Sequence, residues 1–221
     1  MVQPVIKIDF YHDVVCGWCF VIAPRLRKLS EELPLEIRHR SFVLQDSREE
    51  MVRAWGSLER AKREILGHWE RCREADDDKR RINVEGMWKQ TFEYPSGMIG
   101  TLSCKAAEIQ GGQAAHWDMF DAVQRAHLTE NRNIGDAGVI TDVAREIGLD
   151  MSRFERDLHS AYTRQKVEED RAKARSLGIR SIPSVVIEEA GIVLSTAPTE
   201  VLRSQLLAVQ ERLRAVGPAS A

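Results

Sequence analysis

The chain has 221 residues, a formal net charge of −2, 43% hydrophobic and 30% charged residues. Those values supply a buried core and exclude the strongly one-signed surface of a nucleic-acid or anionic-membrane binder. No apolar run approaches the roughly 18–20 residues that a membrane-spanning helix requires.

The first predicted element is a strand, Val5-Ile6-Lys7-Ile8-Asp9-Phe10-Tyr11, rich in β-branched and aromatic residues. Met1 leads directly into it, with neither a basic n-region nor a long apolar h-region, so the expected localisation is cytoplasmic. A helix follows over 20–32, on the spacing of Phe20, Ala23, Leu26, Leu29 and Leu33. Pro24 lies within that run and is expected to kink it, because it has no N–H for the carbonyl four residues back.

Cys16-Gly17-Trp18-Cys19 occupies the junction between that strand and that helix. The first sulfur of such a pair meets unpaired N–H groups at the positive end of the helix, which favours thiolate over thiol. The second, one turn in, is placed to attack a mixed disulfide. Four cysteines are too few for a secreted disulfide scaffold, so a reactive pair is the expectation. A zinc site built from Cys16, Cys19, His68 and Cys72 lacks the second closely spaced pair usual in structural centres, and no metal is expected. His12, four residues before Cys16, is read as a surface-loop residue, with assistance to the thiolate as the alternative. Trp18 is either an apolar contact for substrate or a shield over Cys19. Cys104 reads as a packed helix residue and Cys72 as exposed among charges; a bond between them is the lesser alternative.

A second strand is expected over 35–42, completing a βαβ unit. Helices are predicted over 49–74, 100–110, 114–129, 136–147 and 152–177, and the charge run Asp76-Asp77-Asp78-Lys79-Arg80-Arg81 as a solvated loop or helix end. Strand character returns at Ser184-Val185-Val186-Ile187-Glu188, and a turn at Glu189-Ala190-Gly191 leads to Ile192-Val193-Leu194. A final helix covers 199–216, and 218–221 read as a frayed tail. Strands at both ends and helices between them describe one small α/β sheet domain interrupted by a helical insertion. Pro183, just before the returning strand, is a candidate cis proline when taken together with the dithiol.

The segments Asp9-Phe10 through Cys19 and Gly178-Ile179-Arg180-Ser181-Ile182-Pro183-Ser184-Val185-Val186-Ile187, at this separation, resemble the DsbA-like oxidoreductases of the thioredoxin superfamily. The likeness covers nearly the whole chain and is nearest to the FrnE-like branch. It implies a thioredoxin-like domain at 1–45 and 179–221 with an all-helical insertion at 46–178. It also implies Cys16 as nucleophile, Cys19 as resolving cysteine, Pro183 as the neighbouring cis proline, and tuning of the site by Gly17, Trp18, Ile182 and His12. Many members of that branch have proline where this chain has Gly17, and some carry a further C-terminal cysteine motif that is missing here. Kappa-class glutathione transferases and 2-hydroxychromene-2-carboxylate isomerases share the insertion but typically have serine for the first cysteine. The expected function is therefore thiol–disulfide exchange or isomerisation on a protein or small-molecule disulfide. No cofactor is expected to be bound, glutathione is the candidate co-substrate, and the chain would act as a monomer or homodimer. The alternatives are a glutathione-dependent isomerase or transferase, and a non-enzymatic holdase using an apolar groove near Met98, Trp117, Met119 and Phe120.

Overall fold

A computed structural model describes residues 4–216; the tail at 218–221 lies outside them. β1 (Ile6–His12) leads through a short loop to α1 (Gly17–Glu32), and β2 (Leu35–Ser41) returns parallel to β1. α2 (Arg48–Trp55), α3 (Leu58–Ala75) and α4 (Val84–Lys89) follow, then α5 (Met98–Gln124), which ends in a π-helical turn, Arg125–Thr129. Next come α6 (Ala137–Glu146), α7 (Met151–Leu158) and α8 (Ala161–Ser176). β3 (Ser184–Ile187), β4 (Ile192–Leu194) and α9 (Thr199–Val216) complete the described chain.

The sheet order is β2-β1-β3-β4, with β3 antiparallel to both β1 and β4. β1 is thus a central strand, which explains why six of its seven residues are buried. Strand alternation divides the sheet chemically. Ile8, Phe10 and His12 share one face with Ile37, His39 and Ser41, while Asp9 and Tyr11 share the other with Arg38 and Arg40. α8 lies across the second face, where Asp170 accepts from Arg40 Nη1 at 3.1 Å and Lys173 Nζ reaches Asp9 at 2.8 Å. On the first face, Phe120 of α5 meets Phe10 edge-on at 6.2 Å between centroids. Leu26 and Leu29 of α1 join Ile6, Ile8 and Ile37 in the same core, each full burial contributing about 1.5–3 kcal/mol.

Two long predicted helices are each divided in the structure. The 49–74 segment breaks at Gly56, whose φ of 86° favours glycine, and restarts where Ser57 Oγ accepts from Arg60 N at 3.1 Å. The 152–177 segment breaks at His159, and Ser160 Oγ caps α8 through Thr163 N at 3.0 Å. Each serine offers the backbone a local acceptor that ends one helix and starts another, overriding a continuous apolar pattern. Between 110 and 114 the separation in the sequence corresponds to non-helical backbone at Gly111 and Gly112 inside α5. Among the described residues, no helix is long and apolar enough to cross a membrane.

Candidate active site

Cys16 is the N-cap residue of α1, with extended backbone at φ −83° and ψ 110°. Its Sγ accepts a hydrogen bond from Cys19 N at 3.3 Å, so the sulfur faces the open N–H groups of the first turn. Cys16 retains 7% exposure and lines a groove, whereas Cys19 has none, so only the first residue of the pair is open to a substrate. Burial, then the hydrogen bond and charge of Cys16, then the Asp13 carboxylate push the Cys19 thiol well above its usual pKa.

The loop that delivers Cys16 is held from three sides. Gln124 Nε2, in the last turn of α5, donates to the carbonyl of Cys16 at 3.1 Å and to that of Asp13 at 3.4 Å. Tyr94 donates its hydroxyl to Val15 O at 3.4 Å and is itself paired to His127 Nε2 at 3.0 Å. The fully buried Asp13 carboxylate accepts from Leu44 N at 2.6 Å and Val15 N at 3.3 Å. Burial nevertheless raises its pKa. Asp13 requires Gly97 beside it, since a Cβ there would stand 2.1 Å from Asp13 Oδ1.

Cys16 opens onto a groove of about 250 Å³ lined by Trp18, Leu44, Trp55, Trp69, Cys72 and Ile182, among others. Trp18 is half-buried and forms part of this wall. The peptide bond between Ile182 and Pro183 is cis, and Pro183 is buried at the start of β3. The structure therefore brings Cys16, Gly17, Trp18 and Ile182 to one groove, with Cys19 beneath and Pro183 next in the chain.

Several residues stand elsewhere than the sequence suggested. His12 is neither on a surface loop nor a partner of the Cys16 sulfur. It is 2% exposed at the end of β1 and bonded through Nε2 to His39 Nδ1 at 3.0 Å, because even positions of a central strand point into the core. Cys72 is 1% exposed rather than in a charged surround; it occupies the buried face of α3, against Gly17. Burial raises its thiol pKa, and the Cys16 charge adds to that rise. Cys104 is buried, and all four thiols are free. His68, although it lines the groove, is exposed, and His68 and the thiols do not form a cluster at metal-ligand distances among the described residues. Met119 and Phe120 are fully buried and Trp117 nearly so, which removes most of the apolar surface on which a holdase reading rested.

The charge run at 76–81 is not simply solvated. Arg81 Nη2 donates to Phe20 O at 3.1 Å, and Arg81 Nη1 holds both oxygens of Asp76 at 2.9 Å. Arg25 of α1 forms a two-pronged bond with Asp77 at 2.9 Å for each prong. Asp13, Gln124 and Tyr94 carry no motif that marks them as site residues in the sequence. Asp13, an acid within a run of apolar residues just before the dithiol, offered a signal; the other two converge only through the tertiary fold.

A family described as thioredoxin matches residues 10–195. The chain belongs to this thioredoxin family. Within it, DsbA-like disulfide oxidoreductases have the same fold. The cytosolic disulfide reductase DsbM from Pseudomonas aeruginosa superposes with a TM-score of 0.72 at 20% identity, over 92% of this chain and all of that one. The same reductase with GSH gives 0.72 at 22% identity, over 94% and 100% of the two chains. A 2-hydroxychromene-2-carboxylate isomerase gives 0.66 at 16% identity, over 97% and 100%. By sequence, the chain is 28% identical over 196 residues to the ClpXP adapter protein SpxH of Halalkalibacterium halodurans, covering 85% of this chain and 61% of that protein. SpxH of Bacillus licheniformis is 24% identical over 186 residues, covering 83% and 58%. The chain thus spans about three-fifths of the length of these curated relatives.

Proposed function

We propose that this chain is a thiol–disulfide oxidoreductase or isomerase in which Cys16 attacks and Cys19 resolves. The observation that carries the reading is Cys16 at the N-cap of α1, lining the groove, with its sulfur bonded to the N–H of a fully buried Cys19. Cys16 thiolate attacks one sulfur of a substrate disulfide, forming a mixed disulfide and expelling the other sulfur as thiolate. Cys19, on losing its proton, attacks the Cys16 sulfur; the second substrate thiolate leaves and the 16–19 disulfide forms. The buried Asp13 carboxylate contributes to the charge environment of Cys19, which makes it the candidate acceptor of that proton. Two glutathione thiols, oxidised to one glutathione disulfide, would restore the dithiol. The solution of DsbM with GSH supports glutathione as the co-substrate, and that protein's description as cytosolic supports a cytoplasmic location. The dithiol carries the electrons, so the reaction requires no bound cofactor, and the FrnE-like branch remains the proposed place within the family.

The first test is a glutathione redox titration of the Cys72→Ser, Cys104→Ser protein. A reversible two-electron transition is expected, lost in Cys16→Ser; in Cys19→Ser a mixed disulfide at Cys16 should accumulate. Absence of a 16–19 disulfide at every glutathione ratio would overturn the assignment. Glutathione-dependent turnover surviving Cys16→Ser would instead favour the isomerase or transferase reading. A second reading, as an adapter, rests on the SpxH relatives. Partner binding that survives replacement of both Cys16 and Cys19 would favour it.

A further inference from the structure

His12 on β1, His39 on β2 and His116 on α5 form a buried group away from the dithiol groove. One ring nitrogen from each lies within 4.8 Å of the others, and His39 and His116 are fully buried, with His12 at 2% exposure. The three rings are packed by Phe10, Trp117 and Phe120, with the His39 and His116 rings stacked at 4.9 Å.

Hydrogen bonding leaves one nitrogen of every ring without a partner among the described residues. His116 Nδ1 meets Glu108 Oε2 at 2.7 Å, which orients the ring and leaves Nε2 without a partner among the described residues. His12 Nε2 and His39 Nδ1 face one another at 3.0 Å, and His12 Nδ1 and His39 Nε2 are likewise unpartnered. A neutral imidazole pair can satisfy only one nitrogen of each ring this way. Three buried polar side chains left incomplete in one place are costly, and such a group calls for an explanation.

We infer that His12, His39 and His116 form a zinc-type metal site inside the core, clamping α5 to the sheet. Zinc–imidazole bonds of about 2.0–2.1 Å at tetrahedral angles set ligand nitrogens about 3.3–3.4 Å apart. One nitrogen of each ring lies within 4.8 Å of the others, so the rings close by at most about 1.5 Å to share one ion, and the His12–His39 hydrogen bond opens as they turn to it. The carboxylate behind His116 is the outer-shell partner that metal-bound histidines usually have. The Lys105 ammonium opposes a cation here, but it is paired to Glu108 at 2.8 Å and Asp170 at 2.7 Å, so two carboxylates offset it. Ser41, paired with His12 across the strands, adds a buried hydroxyl without a hydrogen-bond partner on the same sheet face.

The test uses the full chain with Cys16→Ser and Cys19→Ser, to remove the dithiol as a competitor for zinc. Equilibrium binding of Zn²⁺ against a chromophoric chelator should give one ion per chain. X-ray absorption at the zinc edge should give nitrogen or oxygen neighbours at about 2.0–2.1 Å and none at the 2.3 Å of a sulfur ligand. Glu108→Gln, a half-buried outer-shell change that leaves all three rings in place, should weaken Zn²⁺ about 10–100-fold. No stoichiometric zinc, sulfur neighbours at the edge, or unchanged affinity in Glu108→Gln would each overturn the site. In the first case, a trapped water would be the simpler partner for the three nitrogens.

Discussion

Gly17 is where the dithiol motif depends on a residue far away in sequence. A Cβ at position 17 would stand 2.9 Å from Cys72 Sγ and 3.3 Å from Cys72 Cβ. Cys72 is 1% exposed on α3 and borders the groove, so an added Cβ forces its thiol to turn toward that space. Gly17 therefore fits because Cys72 fills the space that a proline or alanine would take. Gly17→Ala should cost about 1–3 kcal/mol as an overpacked site. Cys72→Ala, which removes the sulfur, should recover most of that loss when combined with it. Urea unfolding of both single variants and the double reads the coupling. If the two costs simply add, the contact does not set the identity of residue 17. This dependence was not legible in the sequence: the dithiol could be recognised from its strand-to-helix context, whereas Cys72 sits among charges and gives no sign of which face of α3 it occupies.

At the scale of elements, α1 runs through Pro24, where a missing N–H leaves the carbonyl of Phe20 without its helical donor. Arg81 supplies one instead, at 3.1 Å, with its guanidinium 4.0 Å above the Phe20 ring and Asp76 holding its other edge. A charge run that looks like a solvated turn is thus a brace for the active-site helix. Arg81→Gln should cost about 1–3 kcal/mol, since it removes the donor to the Phe20 carbonyl and the ion-pair partner of the buried Asp76 carboxylate together, leaving Asp76 only the Asp78 N–H. Arg81→Lys should recover only part, because an ammonium cannot serve both groups in one plane. Chemical denaturation checks the order wild type, Arg81→Lys, Arg81→Gln; a loss below about 0.5 kcal/mol, the range of ordinary surface changes, would show that solvent serves the Phe20 carbonyl equally well. The strands were legible, because β-branched runs bounded by turn residues have few other uses. Helix divisions at Gly56 and Ser160 were not, because each cap interrupts an apolar pattern that continues in register on either side.

Across the whole molecule, the βαβ start, the returning hairpin and the helices between them could be read from pattern alone, but the interior polarity could not. A histidine on a strand looks the same in sequence whether it faces solvent or core. Here His12, His39, His116 and His127 are all buried, and burial pushes each below the ordinary histidine value, to about 3 for His127. The Glu108 carboxylate opposes that shift at His116 without reversing it. In the unfolded chain each ring would titrate near about 6.5. A histidine with a lowered folded pKa stabilises the fold above the unfolded value, and that stability is lost as pH falls from about 6.5 towards the folded value. Well below 6.5, each such ring steepens the loss by about 1.4 kcal/mol per pH unit. Urea unfolding of chelator-treated protein should therefore be nearly flat from pH 8 to 7 and fall steeply below 6.5, with His127→Gln reducing the slope by about 1.4 kcal/mol per pH unit. An even stability from pH 7 to 5 would mean that the buried rings take up protons without unfolding, and that the core is far more open to water than its packing implies.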